Sequence, residues 1–314
     1  FQAEDGIRDF CLSRGLGDVY KRQELVLRMY FTWFLLGILY FFFVLLLNAF
    51  GVQFEFIAVI VLFFGAIQYF MSDKMVLYSS GAKLINRSDD EELFQIVDEL
   101  SYSAGIDPPK VAVMNSNVLN AFATGRNPKN SLVAVTSGLR KNLNRSELRA
   151  VVAHEIAHII NGDVKVLAIA NFFVMLSSFL MQMFFWNMLF GGIGRSRDNS
   201  GGAGAIFILY IATMVVYFIG QLLVLALTRY REYGADYTGS ILCGEPIELA
   251  SALRKISISS ISIPSQDLRQ FKTANAFMII PSLSGNDISR LMSTHPPVED
   301  RIRRLIAMEK QSGN

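Results

Sequence analysis

The sequence predicts an α-helical, multi-pass membrane protein carrying a mainly α (α+β) domain with a small β-sheet outside the bilayer. Three observations lead there. Of the 314 residues, 52% are hydrophobic and 18% charged, against about 45–50% and about 25% in ordinary soluble domains. The apolar excess is gathered into four long uncharged runs, and the segments between them have the charge and periodicity of water-soluble helices and strands. These figures exclude a disordered, collagenous or disulfide-stapled chain. A net charge of +2, from 29 Lys+Arg against 27 Asp+Glu, leaves no basic surplus for binding nucleic acid. Two cysteines, Cys11 and Cys243, lack metal-site spacing, and the histidines are only His154, His158 and His295.

Residues 1–23, FQAEDGIRDFCLSRGLGDVYKRQ, have no apolar periodicity, no signal-peptide layout and no initiating Met. They resemble the translated read-through of a sequencing adapter, and are expected to be a non-native tail outside the fold.

Residues 24–72 hold the first two expected spans. The stretch 29–54 is free of charge and fits a crossing helix of about 20 residues; 56–72, after Glu55, is uncharged and just long enough. Residues 166–228 hold the third and fourth spans, Val166 to Phe190 and about Ala203 to Leu227. Lys and Arg cluster on one side. Arg28 precedes the first span; Lys74, Lys83 and Arg87 follow the second; Arg149 and Lys165 precede the third; Arg229 and Arg231 follow the fourth. The first link has none and the Gly-rich second link only Arg195 and Arg197, so both links are expected outside. Residues 73–165 and 229–314 then share the cytoplasm, where a lone reduced Cys243 is at ease.

Within the first cytoplasmic segment, Leu93, Ile96, Val97 and Leu100 recur at helical spacing behind an acidic start, predicting a helix over 89–106. PPKVAVMNSNVLNAFATG and SLVAVTSGL (131–139) alternate as short strands do, with Gly125, Asn127 and Pro128 turning between them. NRSELRAVVAHEIAHIING reads as a helix with an N-cap at Asn144 or Ser146 and an end at Gly162, running straight into span three.

That helix contains His154-Glu155-Ile156-Ala157-His158, the pattern H-E-x-x-H. Residues i and i+4 stack on one face, so both imidazoles can reach one metal ion, with Glu155 placed as general base toward the attacking water. Zinc takes a third protein ligand and keeps an open position. No further histidine lies nearby in sequence, which points to a carboxylate. Span four returns the chain to the same face and leads into Thr228-Arg229-Tyr230-Arg231-Glu232-Tyr233-Gly234-Ala235-Asp236. The hairpin of spans three and four thus brings Glu232 beside the histidines, and Asp236, one turn on, can accept the second ring N–H of a ligand histidine.

With these residues in hand, the sequence resembles the HtpX family of membrane-bound zinc metalloendopeptidases, relatives of the CAAX prenyl proteases. The resemblance rests on HEIAHIINGD (154–163), RYREYGAD (229–236), NAFATGRNPKNSLVAVTSGL (120–139) and STHPPVEDRI (293–302), and covers nearly the whole chain from about residue 24. It implies a zincin-like cytoplasmic protease domain with one zinc ion on His154, His158 and Glu232, and Glu155 as catalytic base. It further implies an edge strand, Asn120 to Thr124, whose Asn120, Ala121 and Phe122 align an extended substrate by strand addition. His295 is implied as a hydrogen-bond donor to the oxyanion, against the plainer reading of a surface histidine capping the Pro296-Pro297 turn. Arg301 is implied to orient that region. The implied setting is a prokaryotic inner cell membrane, with termini and active site cytoplasmic, the lipid bilayer as surroundings, and unfolded or damaged membrane proteins as substrates.

Other readings of the same features are a CAAX-type prenyl-protein protease, a zinc-binding scaffold or sensor without turnover, and a transporter. Four spans and an intact Glu155 weigh against the first two. The third needs a charge inside a span, and none is there.

Overall fold

A computed structural model describes residues 2–125, 127–190, 200–262 and 295–312. In chain order the elements are α1 (Gln2–Ala49), α2 (Phe54–Ser80), β1 (Lys83–Leu84), α3 (Glu91–Ala104), β2 (Lys110–Met114), β3 (Ala121–Gly125), a 3-10 turn (Pro128–Asn130), β4 (Ser131–Thr136), α4 (Ser137–Asn142), α5 (Arg145–Ile160), α6 (Asp163–Phe190), α7 (Ser200–Cys243), α8 (Pro246–Ser262) and α9 (Val298–Ser312). Arg195 and Arg197, which served to orient the second link, lie outside the described residues.

Among the described residues three helical stretches are long and apolar enough to cross a membrane: Val26–Ala49 of α1, all of α6, and Gly204–Cys243 of α7. At 24, 28 and 40 residues they measure about 36, 42 and 60 Å, against a hydrocarbon core of about 30 Å. In α2 the described apolar stretch is Phe54–Gln68, and the helix joins the bundle, where Gln68 Nε2 donates to the Ala168 carbonyl at 2.7 Å. Leu36, Tyr40, Phe43 and Leu47 of α1 bury against Leu176 and Leu180 of α6 and Val216 and Val224 of α7. The opposite face of α1 exposes Phe31, Phe34, Phe41 and Phe42, an apolar surface suited to lipid. α7 outruns the bilayer. Its last turns continue as one rod into the second domain and carry Glu232 and Asp236 there.

That domain is built on a four-stranded mixed sheet of order β1-β2-β4-β3. β2 and β4 are parallel, whereas β1–β2 and β3–β4 are antiparallel. One sheet face, with Ala121, Ala123, Val133 and Val135, packs on α3, α5 and α8. The other, with Met114, Phe122 and Leu132, meets Leu77 near the end of α2. This contact seats the sheet against the membrane bundle.

Local signals fix α5. Asn144 is its N-cap, completing a capping box with Glu147, which settles the choice between Asn144 and Ser146. The helix does not run straight into the third span. Asn161 closes it and Gly162, at φ +68°, takes the left-handed conformation that a side chain disfavours. α6 then sets off afresh from Asp163, and that corner matters for the site.

Candidate metal centre and active site

Four helices converge on one buried point. α5 supplies His154, Glu155 and His158; α7 supplies Glu232 and Asp236; Asp163 begins α6; Arg301 lies on α9 and His295 just before it. The close approach of α5 and α7 depends on Gly239, where a Cβ would stand 2.9 Å from both the N and Cα of His154.

The two imidazoles meet edge to face, with ring centroids 4.7 Å apart. His154 Nε2 is 3.7 Å from Glu232 Oε2, and His158 Nε2 is 3.5 Å from Glu232 Oε1. A tetrahedral ion about 2.0–2.1 Å from each donor sets its ligands about 3.4 Å apart, close to the spacing found. One ligand atom from each of His154, His158 and Glu232 lies within 4.8 Å of the others. Their far ring nitrogens face carboxylates. His154 Nδ1 is 3.0 Å from Asp236 Oδ1, and His158 Nδ1 is 2.5 Å from Asp163 Oδ2. An Nδ1–H held by a carboxylate, as at His158, leaves the Nε2 lone pair for a metal, so that ring is in ligand orientation.

Charge points the same way. Glu155, Asp163, Glu232 and Asp236 are all buried here, and the buried cations are Arg231 and Arg301. Arg231 pairs with Asp163. Arg301 donates from Nε and Nη2 to Asp236 at 2.8 and 2.7 Å, and its Nη1 is 3.0 Å from Glu232 Oε2. Four carboxylates face two guanidiniums, and the imidazoles feel the excess: burial works to lower His158, but Asp163 and Glu232 push it well above its ordinary value. Buried carboxylates demand a partner, and a divalent cation at the Nε2 atoms can take that place. The residues present therefore fit a metal.

The titrating groups respond to this crowding. Burial works to raise the Glu232 carboxyl, but His295 and Arg301, with His158, outweigh it and hold it well below the usual carboxylate range. Burial likewise opposes ionisation of Asp236, and Arg301 with His154 brings it below its ordinary value. Glu155 goes the other way, raised by burial despite the neighbouring histidines. A carboxyl lifted toward neutrality is suited to taking and returning a proton.

Most residues expected from the sequence come together here. His154, Glu155, His158, Glu232 and Asp236 share the centre, and Arg301 is fully buried against two of its carboxylates. His295 is buried, with Nδ1 3.2 Å from Glu232 Oε2, so the plainer reading of a surface histidine does not hold. Two residues were missed. Asp163 lies beyond the Gly162 corner and orients His158. Arg231 was read only as a cytoplasmic charge marking topology, yet it is 2% exposed and locked onto Asp163.

The edge strand expected at Asn120 to Thr124 is present as β3, Ala121–Gly125. β3 is the outer strand of the sheet. The Thr136 N–H donates to the Asn120 carbonyl, so by antiparallel alternation Asn120, Phe122 and Thr124 turn their backbone groups to β4. Ala121 and Ala123 turn theirs to the free edge. Asn120 contributes through its side chain, whose Oδ1 accepts the Ala121 N–H at 2.9 Å, and Phe122 points into the opposite core. The Ala123 N–H is directed at the Glu155 carboxylate, which places the middle of the free edge against the catalytic helix.

An H-E-x-x-H helix, a glutamate from a second helix and a bundle of apolar helices define a membrane-embedded metallopeptidase. Residues 87–309 match Peptidase family M48, and the chain belongs to that family. It is 46% identical over 288 residues to the Protease HtpX homolog of Moorella thermoacetica, covering 91% of this chain and 95% of that one. It is 42% identical over 284 residues to Protease HtpX homolog 2 of Methanosarcina mazei, covering 90% and 95%. The crystal structure of S. mikatae Ste24p shares the fold, with a TM-score of 0.54 at 18% identity over 86% of this chain and 62% of that one. The protein is thus a membrane metalloendopeptidase, and neither the prenyl-protease nor the scaffold reading is favoured.

Proposed function

We propose that the chain is a zinc-dependent endopeptidase working at the cytoplasmic face of a prokaryotic inner membrane, on damaged or misassembled membrane proteins. The observation that carries the metal is the grouping of one ligand atom each from His154, His158 and Glu232 within 4.8 Å of one another. His154, His158 and Glu232 would hold one zinc ion, which would supply the Lewis acidity to polarise the scissile carbonyl and acidify the attacking water.

The chain's own residues do the rest. Glu155 accepts the proton of the attacking water and later delivers it to the leaving amine. His295 donates to the oxyanion that develops on the carbonyl. Asp236 and Asp163 hold the histidine tautomers, and Arg301 keeps Glu232 and Asp236 ionised. The outward carbonyls of Ala121 and Ala123, whose N–H groups go to Asn120 Oδ1 and Glu155, bind an extended peptide by strand addition, which reads main chain and so suits unfolded substrates. The basic flanks Lys83, Arg87 and Arg149 support a cytoplasmic placement of this domain.

Detergent-solubilised protein loaded with zinc should degrade casein, lose that activity to a chelator and regain it with zinc. Chelator-resistant cleavage, or none with zinc bound, overturns the reading.

A further inference from the structure

A cavity of about 180 Å³ opens beside the metal centre, between the end of β3 and the corner joining α5 to α6. Its walls include Thr124, Gly125 and Asn127 on one side and His158, Gly162 and Lys165 on the other. That space is more than ten times what a single water needs, enough for one side chain. His158 belongs both to its wall and to the metal centre, so the cavity lies against the flank of that centre.

Strand geometry says what enters it. Ala123 faces Glu155 across the free edge, and Gly125, two residues or about 6.7 Å further along, is at the cavity. A peptide laid along β3 with its scissile bond at Glu155 therefore passes the cavity one or two residues from that bond. No carboxylate lines the cavity, and apart from the candidate ligand His158 its ionisable group among the described residues is Lys165. The nearest carboxylate in sequence, Asp163, is already committed to His158 and Arg231. Lys129 follows the lining residue Pro128 in the same turn.

We infer that this cavity is a specificity subsite in which Lys165 selects an acidic side chain of the substrate, one or two residues from the scissile bond. The inference rests on the endopeptidase reading, and its test separates the two. Zinc-loaded Glu155→Gln protein in neutral-lipid nanodiscs, which cannot turn over, is titrated with fluorescent peptides carrying Glu, Gln or Lys at that position. The Glu peptide should bind about two- to fivefold more tightly than the Gln peptide, the scale of one exposed ion pair. Lys165→Gln should erase that ratio, and Lys165→Glu should reverse it in favour of the Lys peptide. Equal affinities, or a preference that survives Lys165→Glu, overturn the subsite. Retention of anionic lipid through Lys165 with no discrimination among peptides gives the cavity to headgroups and overturns it too. Casein cleavage by the unsubstituted protein reports separately on the endopeptidase reading.

Discussion

Gly239 presses on the backbone of His154 more closely than any side chain could: an added Cβ would meet the His154 N and Cα at 2.9 Å and the Ala153 carbonyl carbon at 3.1 Å. The contact is backbone on both sides, so neither helix can give way by turning a rotamer. It sets the depth at which α7 presents Glu232 and Asp236 to α5. Gly239→Ala should wedge the helices apart, costing about 1–3 kcal/mol and weakening zinc binding. Gly37→Ala, where nothing lies within 4 Å, should be neutral or slightly stabilising. Thermal unfolding with and without zinc checks both; unchanged zinc affinity in Gly239→Ala would contradict the account.

Asp163 joins His158 to Arg231, and its two jobs can be separated. Asp163→Asn should leave the Arg231 charge buried without a partner, at about 3–5 kcal/mol, and should lower zinc affinity about 10–100-fold through the loosened imidazole. Adding Arg231→Leu should restore much of the stability, because the uncompensated charge is gone, while affinity stays low. Competition with a zinc-sensitive dye, alongside melting curves, reads the two effects independently.

Arg301 forks onto Asp236 and reaches Glu232 with its third nitrogen. A lysine there supplies the charge but not the fork. Arg301→Lys should therefore fold yet bind zinc more weakly, while Arg301→Ala should destabilise by about 3–5 kcal/mol by stranding buried carboxylates. Equal zinc affinity for Arg301→Lys and the unsubstituted protein would show that charge alone is used.

Much of this centre was legible in the sequence, for a physical reason. The i, i+4 repeat makes two histidines neighbours whatever surrounds the helix, and the hairpin of apolar runs returns Glu232 and Asp236 to the same face. What stayed hidden depends on backbone turns. Asp163 is five residues past His158, a spacing that points elsewhere on a continuous helix and reaches the imidazole only through the Gly162 corner. Arg231 beside a span looks like any interfacial cation until α6 delivers Asp163 to it. Strand content was readable from alternation, but β1 is two residues long and the parallel pairing of β2 with β4 leaves no local mark. Which residues of β3 turn outward is likewise set by the ones β4 engages.

Away from the centre, Glu147 fastens α5 to α8. Its Oε1 accepts from Ser251 at 2.8 Å and its Oε2 from Lys255 at 2.7 Å, while the Asn144 N–H donates to it at 3.0 Å. Burial raises the carboxyl, but Lys255, the Asn144 amide and Ser251 outweigh it, and its value lies below the ordinary one. A carboxyl depressed in the folded state contributes stability above its unfolded pKa of about 4.3 and loses it as pH falls through the folded value. Glu147→Gln should thus cost about 1–3 kcal/mol at pH 7, and the gap should close as pH drops below about 4. Melting curves across that range test it; a gap that widens in acid has the wrong sign.

The last prediction isolates the base from the metal. Glu155 is 3% exposed, is raised by burial, and receives the Ala123 N–H from the free strand edge, yet it is not among the three grouped ligands. Glu155→Gln keeps the shape and an oxygen acceptor for Ala123, so zinc should bind as before and the fold should hold. It cannot take a proton, so cleavage should fall at least 10²–10⁴-fold. Glu232→Ala should fail differently. It removes a ligand, and elemental analysis should find the purified protein depleted of zinc. A Glu155→Gln protein that loses its zinc, or one that still cleaves casein at the original rate, would place the proton transfer on some other group.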